Sequence, residues 1–182
     1  MKNFNSPSFS HLGLFVSDIQ QMKSFYTRVL GLYVTDEGPF PGGQYLVFLS
    51  RDPEEHHQVV LVEGRPASLD FNTINQVSFF IDDLQQLKDF YQAILEIGVD
   101  DLQCVTHGNA WSVYFRDPEG NRIEVYTHTP WYIKQPFREP LDLNLDVEKI
   151  QRETELFCRD QPGFMSRQQW LQSMNTLMKE SD

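Results

Sequence analysis

One segment of the chain occurs twice, 65 positions apart, and this duplication limits the folds that the chain can adopt. The sequence SHLGLFVSDIQQMKSFY at Ser10–Tyr26 returns as NQVSFFIDDLQQLKDFY at Asn75–Tyr91. The same ungapped offset places the RDPE of Arg51–Glu54 on the RDPE of Arg116–Glu119. A single offset that aligns both ends of a segment indicates an internal repeat, so the two copies are expected to share one fold.

Each copy is predicted to begin with a strand and a helix. A short apolar run ends at Asp18 in the first copy and at Asp83 in the second, and aspartate is a favoured helix N-cap. In the second copy, apolar residues recur at helical spacing at Leu84, Leu87, Phe90, Tyr91, Ile94 and Leu95. Gly31 and Gly98 follow the two predicted helices, at positions where glycine commonly ends a helix.

Three strand candidates follow the helix in each copy. In chain order they are Leu32–Thr35, Gln44–Ser50, Gln58–Glu63, Leu102–Thr106, Trp111–Arg116 and Arg122–His128. Turns with proline and glycine separate them. Each copy therefore predicts a βαβββ module, the first over residues 8–63 and the second over residues 74–128. Together the modules predict an α+β domain over residues 8–128.

The repeat ends at His128, and residues 129–182 form a C-terminal extension. Its first part, TPWYIKQPFREPLDL, contains three prolines and predicts an extended strap. Two helices are expected after it, with Asp146 and Ser166 as their N-caps. Their apolar faces predict packing, either on this domain or on a partner chain.

Charge and composition exclude several kinds of partner. The net charge is −11 and the pI is about 4.8, which is unfavourable for binding a phosphate backbone or an anionic membrane surface. No apolar run approaches the length of a membrane span, and the two cysteines, Cys104 and Cys158, form no CxxC motif. We therefore expect a cytoplasmic protein whose partners are small molecules. The sequence is also compatible with a homo-oligomer.

A carboxylate in an apolar strand is the first candidate for chemistry. Glu124 lies between Ile123 and Val125, so its side chain is predicted on the opposite face of the strand from theirs. A carboxylate buried there is costly unless it is paired or binds a metal. The alternative is an ordinary exposed residue, and this segment alone does not decide between them.

The sequence around Glu124 resembles a known signature. Val105–Glu124 reads VTHGNAWSVYFRDPEGNRIE. It is similar to the signature of type I extradiol ring-cleavage dioxygenases, and the matching residues are His107, Val113, Tyr114, Asp117, Pro118, Gly120 and Glu124. The paired modules resemble the vicinal oxygen chelate (glyoxalase/bleomycin resistance/dioxygenase) superfamily, to which those enzymes belong. The resemblance covers about Ser10–His128 and implies that the sheets of both modules curve around one cup.

The resemblance implies a metal site with two histidines and one carboxylate. The metal would be Fe(II), with Mn(II) as the alternative, and open positions would take substrate and oxygen. The implied ligand positions are His11, Gln76 and Glu124.

The same resemblance implies three further roles. His57 matches the family's acid–base histidine, and His56 is the neighbouring alternative. His107 and Tyr114 match side chains that hydrogen-bond to substrate or oxygen. His128 is expected to have no functional role.

Two departures from superfamily patterns matter. Glyoxalase-like relatives carry an acid in the last strand of both copies, but the repeat offset places Val59 opposite Glu124, and valine cannot bind a metal. Position 76 is glutamine where an extradiol enzyme has histidine. Gln76 therefore ligates through its amide oxygen, or holds a water that ligates, or lies in a cup that binds an organic ligand without metal.

Two functions are expected, and the resemblance implies the first. The first is an iron-dependent extradiol-type dioxygenase that cleaves a catechol-like aromatic diol with O2. The second is a non-catalytic protein of the same fold that binds or sequesters a small molecule, and Gln76 is the residue that favours it.

Overall fold

The computed structural model of the protein describes residues 8–66 and 72–179. Two compact units are present. Within the described residues, unit 1 contains the chain up to Asn75 together with Asp117–Asn121. Unit 2 contains Gln76–Arg116 and the chain from Arg122 onward. No helix of the described residues combines the length and the apolar character that crossing a bilayer requires.

Unit 1 contains the first βαβββ module. Its elements are β1 (Leu12–Val16), α1 (Ile19–Arg28), β2 (Tyr33–Pro39), β3 (Tyr45–Ser50) and β4 (Val59–Glu63). The strand order is β1-β4-β3-β2, with β1 parallel to β4 and the other pairs antiparallel. One face of this sheet packs against α1, where Met22 and Tyr26 are fully buried with Val47 and Leu61.

Unit 2 repeats this topology. Its elements are β5 (Val77–Phe80), α2 (Leu84–Ile97), β6 (Gln103–Thr106), β7 (Ala110–Arg116) and β8 (Arg122–His128). Here too the first strand is parallel to the last, and the remaining pairs are antiparallel. The predicted α+β class and the two βαβββ modules are confirmed.

Local signals account for the limits of α2. The Asp83 side chain accepts a hydrogen bond from the backbone N–H of Gln86 at 2.8 Å, which satisfies one of the free donors at the helix start. Gly98 ends the helix with φ of 75°, in the left-handed region that glycine adopts without steric cost. Asp18 caps α1 in the same way, through the N–H of Gln21.

The C-terminal extension belongs to unit 2. It consists of β9 (Trp131–Tyr132), β10 (Glu139–Pro140), α3 (Val147–Cys158), β11 (Met165–Ser166) and α4 (Arg167–Lys179). Strand β10 pairs with β6, so the order of this sheet is β10-β6-β7-β8-β5.

The two predicted caps of the extension differ. Ser166 Oγ accepts from the N–H of Gln169, and Gln169 Oε1 accepts from the N–H of Ser166, a reciprocal capping pair before α4. Asp146 occupies the N-cap position of α3 but makes no side-chain capping bond.

The strand pairing corrects one alignment from the sequence. In unit 2, Glu124 pairs with Ser78 on one side and with Tyr114 on the other. The corresponding row of unit 1 consists of Gly13, Val60 and Phe48. Val60, and not Val59, is therefore the counterpart of Glu124.

A longer loop causes this difference. Nine residues separate Leu49 from its partner Val59, and seven separate Phe115 from its partner Ile123. The counterpart of Glu124 is valine in either alignment, so neither alignment supplies the second acid that a four-ligand, glyoxalase-type site uses.

Candidate metal and catalytic site

Glu124 is a buried carboxylate held by three neutral donors. Its side chain lies on the face of β8 opposite Ile123 and Val125, and only 7% of the residue is exposed. Oε1 accepts from Tyr114 Oη at 2.5 Å, and Oε2 accepts from Ser78 Oγ at 2.5 Å and Gln76 Nε2 at 2.7 Å. Each carboxylate oxygen has two lone pairs, so one acceptor position on Oε1 remains open.

The charge of Glu124 has no ion-pair partner in the part of the chain that the structure describes. Within residues 8–66 and 72–179, no Lys, Arg or His nitrogen forms an ion pair with it. Burial of an unpaired carboxylate is costly, and a bound cation compensates for that cost. The open lone pair and the unpaired charge fit a metal ligand.

Gln76 adjoins Glu124 directly. Its Nε2 donates to Glu124 and also to Ser78 Oγ at 3.0 Å. These bonds use the amide nitrogen and leave the amide oxygen, the atom that can bind a metal, uninvolved.

Tyr114 connects Glu124 to His107. His107 Nε2 lies 3.0 Å from Tyr114 Oη, and His107 Nδ1 lies 2.8 Å from the backbone oxygen of Phe137. A carbonyl oxygen only accepts, so Nδ1 carries a proton. The Tyr114 hydroxyl has one proton, which it donates to Glu124. The bond between Tyr114 Oη and His107 therefore forms at the same time only when His107 Nε2 also carries a proton.

Burial and the neighbouring carboxylate both raise the pKa of Tyr114. Loss of solvent raises the pKa of its hydroxyl most, and the hydrogen bond and charge of Glu124 raise that pKa further. Tyr114 therefore stays protonated at neutral pH and remains a hydrogen-bond donor toward Glu124.

Unit 1 brings three histidines together. The ring centroids of His11 and His57 are 4.3 Å apart, and those of His56 and His57 are 5.2 Å apart. Phe48 contacts both His56 and His57. Loss of solvent, followed by the charges of His11 and His56, lowers the pKa of His57.

The residues predicted from the sequence thus fall into two groups. Gln76, Glu124, Tyr114 and His107 are joined by hydrogen bonds in unit 2. The histidines at positions 11, 56 and 57 adjoin one another in unit 1. His128, for which no role was expected, is exposed and contacts the rings of Phe80 and Tyr126.

The described parts of the chain contain no group of three or more His, Cys, Asp or Glu side chains arranged to hold a metal ion. The expected ligand set includes only two residues of those types, His11 and Glu124, because its third member is an amide.

Three side chains at the unit 2 site were not identified from the sequence. Ser78 and Arg122 are each two residues from a predicted ligand, on strands β5 and β8. The alternation of strand faces could have indicated both. Arg138 lies in the strap, within 6 Å of the Tyr114 ring centroid, and no local pattern indicates it.

The chain belongs to the glyoxalase/bleomycin resistance protein/dioxygenase superfamily, whose family model matches residues 8–125. Two curated relatives are the biphenyl-2,3-diol 1,2-dioxygenases 2 and 3 of Rhodococcus globerulus. Each is 31% identical over 66% of this chain. The match spans 62% and 63% of their lengths, which is less than two thirds of either protein. A metallothiol transferase, FosB, of Shouchella clausii is 30% identical over 66% of this chain and 80% of its own.

Solved structures agree on the fold. A glyoxylase/bleomycin resistance protein/dioxygenase domain from Frankia sp. superimposes with a TM-score of 0.58 at 19% identity, covering 68% of this chain and 99% of that domain. The fosfomycin resistance protein FosX of Listeria monocytogenes, complexed with Mn(II) and sulfate, has a TM-score of 0.51 at 18% identity and covers 69% of this chain and 95% of its own. The superfamily thus includes dioxygenases and metal-binding resistance proteins, and membership supports metal-dependent enzyme activity without identifying a substrate.

Proposed function

We propose that the protein is an extradiol-type dioxygenase that cleaves a catechol-like aromatic diol with O2. The observation that carries this proposal is the buried carboxylate of Glu124, hydrogen-bonded to Tyr114 and through it to His107. These three residues are also elements of the signature from which the dioxygenase resemblance was inferred. The two biphenyl-diol dioxygenase relatives support the same substrate class.

In this proposal His11, Gln76 and Glu124 hold Fe(II), and Mn(II) is the alternative metal. When bound, the metal supplies the Lewis acidity and electron-transfer chemistry that ring opening with O2 requires. Glu124 contributes the negative charge of the set. Gln76 contributes its amide oxygen, or a water that its amide holds.

The other residues orient groups and move protons. Tyr114 and Ser78 fix the two oxygens of Glu124, which restrains the carboxylate before any ligand binds. His57 accepts the proton of a diol hydroxyl, a role for which imidazole is suited near neutral pH. His107 and Tyr114 hydrogen-bond to the substrate or to oxygen in this proposal, which requires them to give up the bond between His107 Nε2 and Tyr114 Oη.

Oxygen consumption tests this proposal. Protein loaded with iron under anaerobic conditions is mixed with a panel of catechols and then with oxygenated buffer. We expect oxygen uptake together with a coloured ring-opened product, and loss of both in Glu124→Gln. An iron-loaded protein that consumes no oxygen with any diol would overturn the dioxygenase proposal.

A second candidate function is a non-catalytic small-molecule binding protein. The hydrogen bond from Gln76 Nε2 to Glu124 favours it, because that bond satisfies part of the carboxylate without a metal. Metal analysis of protein purified without chelators separates the two functions. A stoichiometric divalent ion supports the dioxygenase, and metal-free protein that binds aromatic ligands supports the binding protein.

A further inference from the structure

Two arginines flank the ring of Tyr114 in unit 2. The guanidinium carbon of Arg122 lies 4.2 Å from the ring centroid, and that of Arg138 lies 5.9 Å from it. Arg122 is two residues before Glu124 on β8, so both side chains lie on the same face of that strand. Arg138 immediately precedes β10 in the strap. Two positive charges therefore adjoin the ring whose hydroxyl binds Glu124.

Arg122 and Arg138 both lack an ion-pair partner within residues 8–66 and 72–179. Among the residues that the structure describes, no carboxylate lies within ion-pair distance of Arg122 or Arg138. Arg116, on the neighbouring strand, is by contrast paired with Asp101 at 3.0 Å. Arg138 donates to the neutral Oε1 of Gln103 at 2.8 Å. A guanidinium has five N–H donors, so both arginines keep donors for another ligand.

It is unusual in so acidic a chain that neither arginine forms an ion pair with a carboxylate of the described residues. The chain carries 26 acidic and 15 basic residues, so carboxylates are abundant. Arg122 is also half-buried, and a half-buried charge is stabilised by a partner of opposite sign. The carboxylate of Asp101, on which the charge of Arg122 acts, forms its ion pair with Arg116 instead. Contact with the Tyr114 ring holds the guanidinium beside the Glu124 site and leaves its N–H groups available.

We propose that Arg122 and Arg138 form an anion subsite that binds the carboxylate of an aromatic diol substrate. This inference rests on the proposed function, and it narrows the substrate class to catechols that bear a carboxylate on a side chain. The planar fork of a guanidinium matches the two oxygens of a carboxylate better than an ammonium does. The diol end of such a substrate lies toward Glu124, and its acidic end lies toward the two arginines.

A purely supporting role for the arginines makes a different prediction. If Arg122 only braces the Tyr114 ring, its removal affects charged and uncharged ligands equally. If it binds a carboxylate, its removal affects only the charged ligand. A carboxylic acid and its methyl ester, which are similar in size and shape, therefore separate the two roles.

The test compares dihydrocaffeate with methyl dihydrocaffeate on the iron-loaded protein. We expect the wild type to prefer the acid by about 10-fold or more in kcat/KM, as for other charge-assisted hydrogen bonds. Arg122→Gln and Arg138→Gln should each reduce that ratio, and the double variant should bring it close to one. Arg122→Lys should keep only part of the preference. Arg152→Gln, an exposed arginine of α3, is the matched control and should leave the ratio unchanged.

A second measurement tests the anion subsite independently of the dioxygenase proposal. Binding of hydrocinnamate and of its methyl ester to the metal-free protein, followed by NMR titration, requires neither iron nor a diol. Tighter binding of the acid that depends on Arg122 and Arg138 supports the anion subsite even if no diol is oxidised. Two results together would overturn the subsite: equal turnover of the acid and the ester, and hydrocinnamate binding that is the same in the double variant as in the wild type. The dioxygenase proposal would stand in that case.

Discussion

The two modules have the same strand pairing but different chemistry on equivalent rows. In unit 2 the row contains Ser78, Glu124 and Tyr114, which are joined by hydrogen bonds. In unit 1 the equivalent row contains Gly13, Val60 and Phe48, which carry no polar side-chain atom. Strand order and register are set by the backbone and by the face that packs on the helix, so side chains on the other face can change without loss of the fold.

The two RDPE turns differ in a second way. Asp117 is 4% exposed, and its carboxylate accepts from the N–H groups of Glu119 and Asn121 and from the Asn121 side chain. The carboxylate of Asp52 is exposed and accepts only from the N–H of Glu54 among the described contacts. The same four letters thus form a buried hydrogen-bonded turn in one position and a surface turn in the other.

Among the substitutions that test the difference between the two rows, replacement of Glu124 should have the largest effect on iron affinity. Glu124→Gln keeps the shape of the side chain and removes its charge. Changes to groups that only orient ligands commonly cost about 10–100-fold in metal affinity, so loss of a ligand charge should cost about 100-fold or more. Iron affinity is measured by competition with a chelator. Val60→Thr, at the equivalent position of unit 1, should leave affinity unchanged, and equal behaviour of the two variants would contradict the assignment.

Replacement of Gln76 by histidine should make the first strands of the two modules more alike. Gln76→His places an imidazole where the first copy presents His11, and it removes an amide donor from Glu124 Oε2. Imidazole binds first-row metals better than an amide, so iron affinity should rise by about 10–100-fold. His11→Ala should abolish iron binding in the same assay. Unchanged affinity in Gln76→His would mean that residue 76 does not face the metal.

Replacement of Tyr114 should make the unit 2 row resemble that of unit 1. Tyr114→Phe removes the donor to Glu124 Oε1 and reproduces the phenylalanine found at position 48. The carboxylate then loses one of its restraints, and iron affinity should fall by about 10-fold. Phe48→Tyr is the reciprocal control and should leave iron affinity unchanged. A Tyr114→Phe protein with wild-type affinity would show that this hydrogen bond does not orient Glu124.

The smallest expected effect concerns the two turns. Burial raises the pKa of Asp117 above its ordinary value of 3.8, so the folded protein binds this proton more tightly than the unfolded chain does. The contribution of Asp117 to stability is therefore largest below about pH 4 and decreases as pH rises through the folded-state pKa. Asp117→Asn should lower the free energy of unfolding by about 1 kcal/mol at acid pH and by less at neutral pH.

Urea unfolding at several pH values measures this effect. Asp52→Asn, in the exposed turn, should change the free energy of unfolding by less than about 0.5 kcal/mol. A loss in Asp117→Asn that grows with pH would contradict the sign of the linkage.

Local signals made the modules predictable from the sequence. Helix α2 lies between Asp83 and Gly98 as expected, because an N-cap and a left-handed glycine act within a few residues. The register of β4 could not be predicted from an ungapped repeat. The β3–β4 loop is longer than the equivalent loop of unit 2, and an alignment without gaps cannot take account of the extra residues. The paired turns fixed the offset at 65, and Val59 was aligned in place of Val60.

The environment of the candidate site was less predictable. Glu124, Tyr114 and His107 were found because their spacing follows a recognisable signature. Arg138 was missed because its contact with Gln103 spans 35 residues and depends on the course of the strap. Such contacts are produced by tertiary packing, and no periodicity records them.

The pairing of β10 with β6 also has a consequence for association between molecules. An edge strand with free N–H and C=O groups can pair with a strand of another chain, which leads to aggregation. In unit 1, strand β2 limits this risk through Pro39, a bulge between Val34 and Asp36, and the charge of Glu37. In unit 2, Glu139 and Pro140 cover Thr106 and Val105. The strap therefore protects the β6 edge of the unit 2 sheet from intermolecular β-pairing, and a chain shortened after His128 would expose that edge to strands of other molecules.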